Sequence, residues 1–289
     1  MKYRFIAEHR EIHTVEKMAR ILGVSRSGYY AWRGRSRTQR IRTDEVLLEA
    51  ISSVQEDSRY RYGSPRVSAE LRRRGHRVGH NRVARLMREN GLQARRRRRF
   101  RSTTNSEHAL PVAENVLARR FQIGEPDTVW VSDLTYVATA EGWIYLCIIM
   151  DLASRKIVGW SLDRRMKSSL VTTALMMAIM HQGSPKGVIF HSDRGSQYCS
   201  AAVRRRLKRY HFIQSMNRKA NCWDNAPAEA FIKTLKNELW GHRAFRTREI
   251  ARLAIFEYIE VFYNRQRLHS GIGYVTPIEF EESQNRKVA

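Results

Sequence analysis

The segment GWIYLCIIMDLAS, residues 142–154, limits the fold more than any other stretch of this chain. From Trp143 to Met150 every residue is apolar. The run is much shorter than the roughly 18 apolar residues a membrane helix needs. It reads instead as a strand covered on both faces, at the middle of a sheet. TVWVSDLTYVAT (128–139) precedes it and KIVGWSLD (156–163) follows, with short turns at Gly142 and Ser154–Lys156. The three should pair as an antiparallel meander. The pattern then alternates: a helix over 168–183 closed by Gly183, a strand over 187–193, a helix over 201–211, a strand over 212–217. A helix over 226–240 with Pro227 in its first turn and a long helix over 247–267 complete the chain. The expected fold class is α/β, a mixed five-stranded sheet flanked by helices.

The front of the chain differs in pattern and in charge. Within TVEKMARILGVSRSGYYAWR (14–33), Val15, Met18, Ala19 and Leu22 share one helical face, Gly23 sits at a stop, and Ser25 can cap a second helix. This is a helix-turn-helix pattern, or an ordinary helical hairpin; the arginines around it, Arg26 and Arg33 among them, favour DNA. Three further helical stretches follow over 44–92, one with Ser64 as expected cap and Pro65 in its first turn. Arg95–Arg99 then form an unbroken basic run, which reads as a solvated, flexible segment or as a linker in which Arg95, Arg96 and Arg97 clamp phosphate. The expected division is a helix-turn-helix over 1–40, a second such module with a basic linker over 41–100, a connector over 101–124 and a catalytic core over 125–289. The net charge is +25, from 53 Lys+Arg against 28 Asp+Glu. Residues 1–124 carry 29 of the basic and 12 of the acidic residues. Such a chain belongs on a polyanion, and the front is the stronger grip.

Against that charge, three carboxylates stand out. Asp133 lies mid-strand among valines and a tyrosine, where an unpaired charge is costly. Asp193 ends an apolar strand in VIFHSDRGSQY, and Glu229 lies one turn into the 226–240 helix. Asp193 alone reads equally as a turn cap, and Glu229 alone as a surface residue. If the first and fourth strands are neighbours, all three converge. Like charges so placed repel, and oxygen-only ligands suit two Mg2+ or Mn2+ ions acting on a phosphodiester. Lys233 and Lys236 share the helix face of Glu229 and can reach phosphates, or form a solvated basic face.

WVSDLTYV, HSDRGSQY, SMNRKANCWDNAPAEAFIKTLKNEL and YNRQRLHSGIGYVTPIEF together resemble the DDE transposases of bacterial insertion sequences. The likeness is to the second reading-frame product, with its retroviral-integrase-like core, of the family that has 35 residues between its second Asp and its Glu. The same number separates Asp193 from Glu229. The resemblance covers roughly 125–282, and the helix-turn-helix front is similar too. It implies a ribonuclease-H-like fold preceded by small all-α modules. It also implies Asp133, Asp193 and Glu229 as the catalytic, metal-binding triad, and metal-dependent cleavage and strand transfer at the element's ends. His191, Gly195, Gln197 and Tyr198 flank the second Asp as in the family, and Asn225 lies beside the Glu. Arg265, Arg267 and His269 belong to the closing signature without an assigned chemistry. The sequence departs from the pattern at 217–220, Asn-Arg-Lys-Ala, where serine and glycine are usual at the ends. It carries no His/Cys zinc module, since its first cysteine is Cys147.

The implied partners are double-stranded DNA (terminal inverted repeats and target), a second copy of the chain, and an upstream reading-frame protein or fusion. Cys147, Cys199 and Cys222 form no CxxC pair, and the start lacks a secretory apolar core, so a cytoplasmic, nucleoid-associated protein is expected. Two rival readings fit less well. The carboxylates argue against a DNA-binding regulator built on an idle core, and the basic front against a plain ribonuclease H.

Overall fold

The computed structural model describes residues 1–34, 39–94, 110–219, 221–239 and 244–288. Arg95, Arg96 and Arg97 lie outside them.

β1 (Val129–Thr139), β2 (Gly142–Asp151) and β3 (Ile157–Asp163) form the expected meander, and β4 (Ile189–Ser192) and β5 (Ile213–Met216) extend it. The sheet order is β3-β2-β1-β4-β5. β1 pairs with β2 along its whole length, but with β4 only from Val129 to Val131, in parallel. This is the mixed five-stranded sheet of the expected class.

Period-two alternation sends Val129 and Val131 to one face and Trp130 to the other. The first face packs on α9 (Ala226–Leu239) and α10 (Arg248–Phe256), through Phe231, Leu235, Ala251 and Ile255. The second packs on α7 (Ser168–His181) and α8 (Ala201–Arg209), through Leu175, Ile179, Val203 and Leu207. Gly159 of β3 lets α7 come close: a Cβ there would stand 2.3 Å from the Ala174 carbonyl oxygen and 2.8 Å from the Ala178 nitrogen.

At the front, α1 (Lys2–Glu8), α2 (Val15–Leu22) and α3 (Arg26–Arg33) enclose a small core of Ile6, Met18, Ala19 and Tyr29. Gly23 is left-handed at the end of α2, and Ser25 caps α3 by accepting from the Gly28 N–H at 2.8 Å. α4 (Gln39–Asp57), α5 (Ser64–Arg73) and α6 (His80–Glu89) follow. Their apolar residues Ile51, Val54, Val67, Leu71 and Val83 belong to the same buried cluster as the α9 face of the sheet. The Tyr62 hydroxyl donates to the Gln266 carbonyl and accepts from the Leu268 N–H. Arg66 donates to the Leu268 carbonyl, and Arg73 forms a two-pronged pair with Glu279.

Four details differ from the sequence reading. Ser64 is not the cap of α5; Gly63 is, and the Ser64 hydroxyl meets His80 Nε2 instead. The helix expected over 247–267 is α-helical only to Phe256. It widens to π geometry over Glu257–Tyr263, which turns Tyr258, Ile259, Phe262 and Tyr263 all inward. α1 and α11 (Pro277–Val288) were not expected. β4 stops at Ser192, leaving Asp193 just beyond it.

The closing signature acquires a structural role. Arg267 grips Glu238 of α9 through Nε at 3.0 Å and Nη2 at 2.8 Å, and the Tyr258 hydroxyl donates to the same carboxylate at 2.8 Å. Burial works against the Arg267 charge, but Glu238 outweighs it and holds the guanidinium protonated. Arg267 also faces His269 Nε2 at 3.1 Å. Burial first, then the charges of Arg267, Arg66 and Arg155, push His269 down to about 2. It stays neutral where an unfolded histidine, near pH 6.5, would be protonated.

Two predictions follow from this packing. Gly159→Ala should cost about 2 kcal/mol or more, because backbone must move to admit the methyl; urea unfolding measures it, and an unchanged midpoint would refute the close approach. The contribution of a neutral His269 is complete above about pH 6.5 and is lost as pH falls, with a limiting slope of about 1.4 kcal/mol per pH unit. His269→Gln should therefore lose less stability than the parent between pH 7 and pH 5; equal losses would show that His269 is not held neutral.

Candidate functional site

Asp133 is odd-numbered in β1, like Val129 and Val131, so it faces the α9 side of the sheet. It lies two residues past the last β1–β4 pair, where the edge of β1 toward β4 is open. Side chains occupy that opening. The Leu134 N–H donates to Asp133 Oδ1 at 2.8 Å, and Asn225 Nδ2 donates to the Ser132 carbonyl at 3.0 Å. Asp193 follows β4 directly and accepts from the Gly195 N–H at 2.9 Å through Oδ1. The turn cap is therefore real. Glu229 sits exposed in the first turn of α9.

Asp133 and Glu229 both sense the charge of Asp193. Asp133 is pushed well above the ordinary carboxylate range, by burial first, then by the charges of Asp193 and Glu229 against the Leu134 N–H and Lys236. Partial desolvation, then the charge of Asp193, also raise Glu229. Among the described residues, no three His, Cys, Asp or Glu side chains are gathered tightly enough to hold a metal ion as they stand. The donor set still fits a hard divalent cation: its groups are all carboxylates, and their mutual repulsion is what such an ion relieves.

The neighbours of the carboxylates are structural. His191, fully buried, places Nε2 at 2.9 Å from Asn217 Oδ1 and 3.0 Å from the Asp224 carbonyl, both acceptors, so Nε2 carries the proton. Its Nδ1 accepts from the Ser215 hydroxyl at 2.9 Å, which in turn accepts from the Leu117 N–H. Tyr198, also buried, bonds to the Ser132 hydroxyl at 2.9 Å, and burial pushes its phenol well above the usual range. Gln197 donates to the Met166 carbonyl at 3.2 Å.

A clamp that the sequence did not reveal holds the strand-to-helix connection. Asp224 has no exposed side-chain surface and accepts from the Arg218 N–H, from Arg218 Nε and Nη2, from Arg119 Nε and from Asn115 Nδ2. The Arg218 hydrogen bonds, helped by Arg119 and opposed by burial, drive its carboxyl far below the usual range. Its partners come from the connector and from NRKANCWDN. Only the second could have been suspected as local.

The basic residues separate into two kinds. Lys236 is half-buried, its ammonium 4.6 Å from the Tyr136 ring centroid, and it offsets the charge of Asp133. Lys233 is exposed. Arg26 and Arg33 are exposed on α3, far along the chain; Arg26 stands 4.0 Å from Glu16 and 5.9 Å from the Tyr30 ring centroid. Cys147 and Cys199 are buried thiols, and among the described residues no helix is long and apolar enough to cross a membrane.

Comparison with known proteins agrees with this architecture. Residues 124–222 and 229–284 each match a model of the integrase core domain, and 42–100 match an HTH-like domain. The chain is 46% identical to the insertion element IS600 uncharacterized 31 kDa protein of Shigella sonnei, over 94% of this chain and all of that one. It is 42% identical to the transposase InsF for insertion sequence IS3A of Escherichia coli K12, over 97% of this chain and 98% of that one. The solved HTLV-2 integrase catalytic core domain in complex with magnesium aligns with 55% of this chain and 97% of that one, at 19% identity and a TM-score of 0.41.

Asp224→Ala should accelerate amide hydrogen exchange at Arg218 and Trp223–Ala226 by about ten-fold or more, while exchange in α7 stays unchanged. Equal protection in both proteins would mean that the clamp does not order the connection.

Proposed function

The chain belongs to the bacterial insertion-sequence transposases with an integrase core, and we propose on that ground how its residues divide the work. As a transposase it cleaves DNA and transfers strands. Residues 1–40 and 41–100 grip the terminal inverted repeats, 101–124 connect, and 125–289 catalyse. Arg26 and Arg33, and Arg95, Arg96 and Arg97 in the linker, contact phosphates, so binding weakens steeply with salt.

Asp133, Asp193 and Glu229 form the catalytic set. The observation that carries this reading is that β1, the end of β4 and the first turn of α9 each present one carboxylate, and that the charge of Asp193 raises both Asp133 and Glu229. Two Mg2+ or Mn2+ ions held there would activate a water or 3′-hydroxyl and stabilise the leaving oxygen. The protein does the rest. The Leu134 and Gly195 N–H groups aim the two aspartates. Glu229, exposed on a flexible side chain, turns inward to complete the set. Lys236 offsets the charge of Asp133, and Lys233 approaches the phosphates of the bound strand. No covalent protein–DNA intermediate is needed, in keeping with a buried Tyr198.

Two element ends must be held at once, so the working form is at least a homodimer. The upstream reading-frame protein is a partner or fusion, and the setting is the cytoplasm, at the nucleoid.

Labelled terminal-repeat duplex with magnesium tests the reading. The parent should nick and join; Asp193→Asn should bind equally and lose both activities by about 10³-fold or more. A parent that binds yet never cuts, even fused to its upstream partner, would make the chain a regulator and leave Asp193 a turn cap.

A further inference from the structure

Trp223 stands out on this surface. An indole is normally among the better-buried side chains, yet 70% of Trp223 is exposed. It is exposed on a rigid support. The next two residues, Asp224 and Asn225, are 0% and 1% exposed. Asp224 is fixed by its clamp to Arg218, Arg119 and Asn115, and its carbonyl accepts from His191, two residues before Asp193. Asn225 is tied to the carbonyl of Ser132, the residue before Asp133. The 222–225 turn thus bridges β4 and β1, at His191 and Ser132, and runs directly into the helix of Glu229. Trp223 is the exposed aromatic on that bridge, six residues before Glu229.

The surroundings fit one kind of occupant. Arg218 and Lys219 are exposed on the same connection. An exposed ring beside cations, on a chain of net charge +25, is how proteins hold single-stranded nucleic acid: cations follow the backbone and the ring takes a base.

Building on the cleavage reading above, we propose that Trp223 stacks on an unpaired base of the DNA strand entering the carboxylate site, and so sets the position of the scissile phosphate. The ring reads the presence of a base, not its identity, since every base offers a π-face.

The test uses the full chain and terminal-repeat duplexes carrying 2-aminopurine at successive positions beside the cleaved bond. Without magnesium, so that the DNA stays whole, the parent should quench the probe at one position. At equal DNA occupancy, judged by anisotropy, Trp223→Phe should keep the quenching and Trp223→Ala should lose it. With magnesium, Trp223→Ala should cut about ten-fold more slowly. An abasic nucleotide at the quenched position should slow the parent equally and add nothing to the variant. Quenching that survives in Trp223→Ala overturns the assignment, as does a parent insensitive to the abasic nucleotide. If Trp223-dependent quenching is present but the parent cuts nothing, the stacking assignment stands and the cleavage reading falls. If the parent cuts and Trp223→Ala cuts equally well, the reverse holds.

Discussion

The arrangement depends on how briefly β1 and β4 stay together. Their parallel ladder covers only Val129–Val131 against Ile189–His191. Had it continued, Asp133 and Asp193 would lie inside a closed sheet, with no opening between them. Because the strands part, one carboxylate is left on an open edge and the other at a strand end. The backbone groups freed by the parting are not abandoned. The Asp133 side chain takes up the Leu134 N–H, and Asn225 takes up the Ser132 carbonyl. The satisfaction of an opened sheet and the orientation of acidic groups are here the same hydrogen bonds.

The third carboxylate arrives on a helix, and two ion pairs, each built on a buried carboxylate, govern that helix at its ends. Asp224, paired with Arg218 and Arg119, fixes the turn before α9. Glu238, paired with Arg267, fixes its last turns. Pairs of this kind add little net stability compared with apolar packing, but they tolerate few alternative placements. Lys236 sits between the two ends, close enough to Asp133 to temper its charge. Electrostatics in the core therefore serves position, while the basic front serves attraction.

Much of this was legible in the sequence. The apolar run Trp143–Met150 announced a central strand, and alternation about it gave the meander. Helical spacing with Gly23 and Ser25 gave α2 and α3. The neighbours of Asp193 followed from the motif around it. What escaped detection was non-local. The Arg119–Asp224 pair spans 105 positions, and Arg267 meets Glu238 across 29, with no periodicity to betray either. The π turn was hidden because an amphipathic pattern reads almost the same at either pitch. α11 was missed because charged residues dominate it, and Ser64 was misread because Gly63 already supplied the extended backbone of a cap. The cap at Asp193 does not exclude the ligand reading, since a carboxylate can accept an amide through one oxygen and still face its neighbours.

One further consequence belongs to the seam between the α4–α6 module and the rest. Val67 and Leu71 are buried in a single cluster with Ile259 and Phe262, and Tyr62 and Arg66 hydrogen-bond to backbone at 266–268. Segments some 200 positions apart in the chain thus share one interior. The two segments must therefore match in volume. A front exchanged for one of different volume at Val67 or Leu71 would leave a void or a clash against Ile259 and Phe262, so the two segments can change at this seam only together.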